Sequence, residues 1–360
     1  MKNIGILVYD CSLTGGAERV AIAMAEEFSA KYKIHLISLF CEKEETLPKD
    51  DRYYTHVVHP KTVSITKNFL SLSSALRRYL KENRIDLLFS ITAGVVTLAI
   101  HAARGKGIKT VFCEHSTLEN KTYGKKHELR QFLGAKLCDR SVALTERDRG
   151  NFLRMYKMPE DKVVTILNWS DAKIALAPYN ADSKKIIAVG RLEAVKGYDK
   201  MIAAVQKVFA VHPDWHLDIY GGGTYQERIQ KDIDDRGLSG SVTLHGDCRN
   251  VHSRYGEYSF FIQTSYYEGF SLTLLEARRA GLPVVSFDCP TGPSEIVDHG
   301  LNGILVPAYD VDQLGREICA LIEDRERRIS MAAHSQDDLE KFSKEKLLQQ
   351  WDALIDSLIK

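Results

Sequence analysis

The most patterned stretch of chemistry-bearing residues in this chain is Ser265-Tyr266-Tyr267-Glu268-Gly269-Phe270-Ser271-Leu272-Thr273-Leu274-Leu275-Glu276-Ala277. A short apolar run, Phe260–Gln263, comes before it, and helix-forming residues follow. A helix starting at Ser271–Thr273 offers free backbone N–H groups, which favour an anion. Glu268, just outside that end, can accept sugar hydroxyls. Glu276, eight residues on and inside the helix, can accept the hydroxyl pair of a ribose. Gly190-Arg191 and Lys196-Gly197 follow another apolar run, Lys185–Val189. Two cations at a strand end beside a helix start suit a diphosphate.

Weaker candidates sit at other strand ends. Gly15-Gly16-Ala17-Glu18 opens a helix after the first apolar run, where glycine lets the backbone approach a ligand and the helix start favours phosphate. Lys109–Cys113 leads into Glu114-His115, and a histidine there can donate to a phosphate or a sugar hydroxyl near neutral pH. Gly221-Gly222-Gly223 after Tyr220 suggests a further close approach of backbone to ligand.

These residues need elements to hold them. Apolar runs at Ile4–Val8, Ile34–Phe40, Leu87–Ser90, Lys109–Cys113, Ser141–Leu144 and Val163–Leu167 are mostly separated by helix-length segments, the first being Gly16 to about Ala30. That alternation predicts βαβ units and a parallel sheet. Asp171–Ser183 reads as a linker. Alternation restarts at Lys185–Val189, Trp215–Tyr220, Val242–His245, Phe260–Gln263, Pro283–Phe287 and Gly303–Val306. The expected fold is α/β, with two Rossmann-like doubly wound domains over 1–172 and 183–340. A terminal helix over 341–360 has Leu347, Leu348, Trp351, Leu354, Ile355 and Leu358 at spacings of three and four and is expected to bury that face. Ligands of such folds bind at the carboxyl ends of the strands, which predicts a central cleft.

The composition sets the class. The chain has 360 residues, 44% hydrophobic and 27% charged, as in globular proteins. The run Leu87–Ile100, 14 residues, is shorter than the roughly 18 that a spanning helix needs. No export signal is read at the start, and seven scattered cysteines, an odd number without a CxxC pair, suit reduced thiols in a cytoplasm. Net charge is only +1, yet residues 61–140 hold 15 basic and 6 acidic side chains. That half is expected to face something anionic. No nucleic-acid motif accompanies the charge.

The chain resembles the retaining glycosyltransferases of GT-B architecture, family 4, of the kind that builds bacterial surface polysaccharides. The resemblance rests on Glu268-x7-Glu276, Gly190-Arg191 with Lys196-Gly197, Gly221–Gly223, Leu244-His245-Gly246, Gly300–Val306 and the Gly15-Gly16 loop. It implies that Arg191 and Lys196 hold the donor diphosphate, and that Glu276 binds the ribose. Glu268, with Gly269, Phe270, Ser271, Leu272 and Thr273, lines the donor site with Gly15, Gly16 and Gly190. His115 sits by the transferred sugar, and the last helix crosses back onto the N-terminal domain. Cys289-Pro290-Thr291-Gly292-Pro293-Ser294-Glu295 departs from the Gly-Gly-x-Pro-Glu turn of many members.

The expected donor is a UDP-sugar and the expected acceptor a lipid-linked glycan. Glu114, Lys125 and Lys126 are candidate acceptor contacts. No metal and no other cofactor is expected, because Arg191, Lys196 and helix N–H groups can neutralise the leaving diphosphate. Asp232-Ile233-Asp234 reads as helix surface and Asp310-Val311-Asp312 as a helix cap. The basic segment with Phe132, Leu133 and Leu137 predicts a peripheral enzyme on the anionic cytoplasmic face of the inner membrane. The rival readings are a nucleotide-sugar epimerase or hydrolase of the same fold, and a non-catalytic sugar-nucleotide binding protein.

Overall fold

A computed structural model describes residues 1–13, 15–170, 174, 178–248 and 250–359. Its contacts separate two units: Met1–Asn168 with Lys344–Lys360, and Trp169–Ser343. Part of the expected linker, residues 171–173 and 175–177, lies outside the described residues.

The first unit carries strands β1 (Asn3–Val8), β2 (Lys33–Ser38), β3 (Tyr54–Val57), β4 (Leu87–Ile91), β5 (Lys109–Cys113), β6 (Arg140–Ala143) and β7 (Val163–Thr165). All neighbours pair in parallel, in the order β3-β2-β1-β4-β5-β6-β7. A parallel sheet covered on both faces needs unbroken apolar strands, and every residue of β4 is buried. The edge strand β3, Tyr-Thr-His-Val, has no apolar run, so hydrophobic pattern alone passes over it. Helices α1 (Gly16–Phe28), α2 (Phe69–Glu82), α3 (Ala93–Ala103), α4 (Lys125–Leu137) and α5 (Glu146–Tyr156) join the strands. Helix α1 buries Val20, Ala21, Met24, Ala25 and Phe28, one stripe of a 3.6-residue period.

The second unit has strands β8 (Lys185–Val189), β9 (His216–Tyr220), β10 (Val242–Gly246), β11 (Phe260–Gln263), β12 (Val284–Asp288) and β13 (Gly303–Pro307). Its parallel order is β10-β9-β8-β11-β12-β13. Around it lie α6 (Tyr198–Val211), α7 (Gln226–Asp235), α8 (Leu272–Arg279), α9 (Pro293–Ile296), α10 (Val311–Glu323) and α11 (Arg325–Ala333). Asp310 caps α10, its carboxylate accepting the Gln313 N–H at 2.8 Å. Asp232 and Asp234 lie on α7, bonded to Arg236 and to Ser239 and Gln230.

Each sheet reverses direction once, between β1 and β4 in the first unit and between β8 and β11 in the second. Ligands of doubly wound sheets bind at such reversals, because the loops leaving the two central strands diverge and leave a crevice.

The last helix, α12 (Lys344–Leu358), belongs to the first unit. Trp351, 2% exposed, packs its ring 5.9 Å from Phe28 and 5.6 Å from Phe89. Lys344 Nζ meets Glu27 at 2.9 Å. Trp351→Ala leaves a ring-sized void between α1 and the sheet. It is expected to cost the first unit about 3–5 kcal/mol, read as a lower urea midpoint. Lys344→Ala, at the partly exposed ion pair, is expected to cost less than about 1 kcal/mol.

Candidate active site

In the second unit the loops after β8 and β11 touch. Gly197 has φ +65°, and a Cβ there would lie 2.1 Å from the Thr264 carbonyl oxygen. Only glycine fits both the left-handed backbone and the close approach. The Tyr266 N–H donates to Val195 at 2.8 Å, and Thr264 Oγ1 to the Gly197 carbonyl at 3.0 Å. This stitching sets Lys196 Nζ 2.7 Å from Glu268 Oε1, which also accepts from Ser265 Oγ at 2.6 Å. Thr291 Oγ1 donates to the Glu268 carbonyl. Gly292, at φ +98°, packs the variant Cys289–Glu295 turn against Phe270, where an added Cβ would lie 3.0 Å from the Phe270 oxygen. Glu268 is thus held by side chain and backbone. Arg191 is exposed, and its guanidinium makes no hydrogen bond or ion pair among the described residues.

Ser271, just before α8, is a non-glycine residue at φ +68°. Its hydroxyl donates to Gln263 Oε1 at 2.6 Å, which ties the helix start to the end of β11. Arg278, wholly buried, anchors the other end of α8 by donating to the carbonyls of Ser335, Ile296 and Asp337. Glu276 lies inside the unit. Ser170 Oγ donates to its Oε1 at 3.1 Å, and His252 Nε2 stands 3.1 Å from its Oε2. Its carboxylate is therefore presented together with a hydroxyl and an imidazole, not bare at the surface. Ser170, His252 and Ser265 are the members of this site that sequence reading misses. Ser170 is 106 residues from its partner, and no spacing rule could join them.

Two glycines of the run after β9 also let the backbone pack on itself. A Cβ on Gly221 would lie 2.0 Å from the Gly190 oxygen, and one on Gly223 2.4 Å from the Leu192 oxygen. These glycines let two backbone segments meet and so fix the turn that carries Gly190 and Arg191. At Gly221 and Gly223 the close approach in the folded chain is backbone to backbone.

In the first unit, the backbone of Gly15 precedes α1 without a side-chain cap, and a Cβ on Gly16 would meet nothing within 4 Å. Asp10 is buried at the end of β1 and accepts from Ser12 and from the Glu42 N–H at 2.8 Å. His115 is half-buried, and desolvation lowers its pKa to about 4, so it is neutral at pH 7. Glu114 does not reach out toward an acceptor. Its carboxylate is 1% exposed and bonded to Ser116 and Gln131. Lys125 and Lys126 are exposed at the start of α4.

Gly221→Ala is expected to lower the melting temperature of the second unit by several degrees, because φ +141° and the Gly190 oxygen both exclude a Cβ. Gly222→Ala is the control. Its nearest neighbour would be the Asp247 Cβ at an ordinary 3.7 Å, and its melting point should stay with the parent.

Residues 14–173 match the family described as Glycosyltransferase Family 4, and residues 172–338 match Glycosyl transferases group 1. An uncharacterized glycosyltransferase of Haemophilus influenzae is 26% identical, over 99% of this chain and all of that one. The amylovoran biosynthesis glycosyltransferase AmsD of Erwinia amylovora is 24% identical over the same shares. The crystal structure of Anabaena HepE in complex with UDP-glucose superposes with a TM-score of 0.86, at 19% identity, over 99% of this chain and 100% of that one. With two parallel Rossmann-like sheets and two consecutive glycosyltransferase matches, the chain belongs to the family 4-like glycosyltransferases of GT-B fold.

Proposed function

We propose that this protein is a retaining hexosyltransferase. It moves a hexose or N-acetylhexosamine from a UDP-sugar to a hydroxyl of a lipid-linked glycan in bacterial surface-polysaccharide synthesis, such as O-antigen, capsule or exopolysaccharide. The observation that carries the reading is the grouping of Lys196, Glu268 and the exposed Arg191 at the β8–β11 reversal. Supporting it, the Erwinia relative is named for amylovoran biosynthesis, and the Anabaena neighbour was solved with UDP-glucose.

Arg191 and Lys196 hold the two phosphates, and Gly190 and the 271–273 amides approach them. Glu276, with Ser170 and His252, takes the ribose hydroxyls. Glu268 accepts from hydroxyls of the transferred sugar, and neutral His115 is the first unit's candidate sugar contact. In the transfer the bond from the anomeric carbon to the diphosphate oxygen breaks. The acceptor oxygen bonds to that carbon on the same face, and the departing phosphate oxygen takes the acceptor proton. Glu268 is already bonded to Lys196 and Ser265, which suits a hydroxyl contact better than a covalent nucleophile. Arg191 and Lys196 do the neutralising, so the transfer needs no metal.

The acceptor is reached at an anionic membrane surface, on the cytoplasmic leaflet. Supporting this is α4, whose outer face exposes Lys125, Lys126, Leu129 at 56%, Phe132 at 40% and Leu137 at 59%. Apolar side chains framed by lysines suit the headgroup region, where each basic residue contributes about 1 kcal/mol. No helix among the described residues is long and apolar enough to cross a membrane.

Two measurements test the reading. UDP at 100 times its dissociation constant should stabilise by about 2.7 kcal/mol, seen as a raised melting temperature. The rise should be equal with and without magnesium, and absent in Glu276→Ala. A rise with GDP or ADP instead discards the uridine donor. UDP release that does not respond to any glycan acceptor favours the hydrolase reading. Second, the protein should co-sediment with phosphatidylglycerol vesicles and not with phosphatidylcholine vesicles, less so at high salt. The Lys125→Glu, Lys126→Glu double variant should lose the vesicles while keeping the UDP shift.

A further inference from the structure

Glu114 closes β5 with its side chain turned inward. Oε1 accepts from the Ser116 N–H at 2.9 Å and from Ser116 Oγ at 3.0 Å. These bonds close a ring over His115, the residue between. Oε2 accepts from Gln131 Nε2 at 3.2 Å, which joins the loop to α4. A second inward carboxylate continues the support. Asp148 of α5 accepts from Thr117 Oγ1 at 3.1 Å and from the Leu118 N–H at 3.2 Å. Helix α4 is seated tightly enough to hold its end, since a Cβ on Gly134 would lie 2.8 Å from the Phe112 ring. The loop on both sides of His115 is thus tied to carboxylates, while the imidazole itself makes no hydrogen bond among the described residues. A half-buried ring with a fixed mount and an unused hydrogen-bonding edge is a group prepared for a ligand.

We propose that Glu114 is a positioning residue for the transfer, holding the His115 imidazole in one direction through its bonds to Ser116 and Gln131. The inference rests on the reading that His115 meets the transferred sugar. A misplacement near 1 Å at a reacting centre costs on the order of a hundredfold in rate, so the mount matters as much as the ring. Burial raises Glu114 to about 7, with the charge of Asp148 adding to the effect. Cys113 on β5 and Tyr156 on α5 also face it, and Glu128 of α4 acts on Tyr156. The carboxylate is therefore ionised above about pH 7, where it accepts more strongly, and protonated below.

The test follows the His115 ring by NMR across pH, assigned by its loss in His115→Ala, together with UDP release from UDP-glucose and UDP-N-acetylglucosamine. In the parent, the His115 resonances should shift with a second inflection near pH 7. In Glu114→Gln, which keeps the acceptor oxygen but cannot ionise, the inflection should vanish while turnover stays within a few-fold. In Glu114→Ala the ring should report a changed environment. Turnover there should fall about tenfold to a hundredfold, with the KM for the donor little changed. His115 resonances in Glu114→Ala that match the parent at every pH would overturn the inference, whatever the turnover. Parent-like turnover in His115→Ala would instead sink the reading that His115 meets the sugar. Because the NMR arm needs no substrate, it decides the mount even where neither donor is cleaved. A melting temperature within a few degrees of the parent, or rescue by Glu114→Gln where Glu114→Ala fails, separates positioning from unfolding.

Discussion

The second unit depends on one constraint, the contact between the loops leaving β8 and β11 where the strand order reverses. A parallel sheet spaces its strands evenly, and only at a reversal do two neighbouring loops have room to meet over the strand ends. Gly197 lets the meeting happen at backbone distance, and the Lys196–Glu268 pair is its product. The pair is partly buried, with the carboxylate less exposed than the ammonium. It holds both groups in the geometry a polar ligand needs before any ligand arrives, so little side-chain freedom is left to lose on binding. Gly221, Gly223 and Gly292 extend the same logic. Each removes a side chain where two loops must touch, so the site is a set of close backbone packings carrying a few polar tips.

The first unit solves a related problem by other means. Its candidate residue His115 stands on the loop after β5. Two buried carboxylates, Glu114 and Asp148, supply the rigidity that close packing supplies in the second unit. Buried carboxylates carry a desolvation cost, which here shows as raised pKa values for both groups. Helix α4 links the two faces of that unit, with Gln131, Gly134 and Ala135 turned inward and a row of lysines and large apolar side chains turned out.

Much of the fold was legible beforehand because parallel strands buried on both faces must be apolar throughout. Runs such as Leu87–Ile91 and Phe260–Gln263 therefore announce themselves. The edge strand Tyr54–Val57 did not, since an edge needs no such run. Glu268, Glu276, Arg191 and Lys196 stood out by type and spacing. Ser170 and His252 did not, because serine and histidine are common and Glu276 was brought near them by folding alone. Ser265 lay in the patterned stretch, but its residue type did not mark it as the partner of Glu268.

The sequence by itself determined the two wound halves, the amphipathic last helix and the short list of polar residues at strand ends. These follow from local periodicity and residue type, which act over a few residues. The tertiary structure decided which tips are paired, which are free and which are turned inward. It placed Lys196 on Glu268, left Arg191 without a partner among the described residues, enclosed Glu276 between Ser170 and His252, and turned Glu114 into the protein. Those outcomes depend on contacts between segments tens of residues apart, and on burial. Neither is written in any local pattern, since only the closed sheet fixes which loops meet.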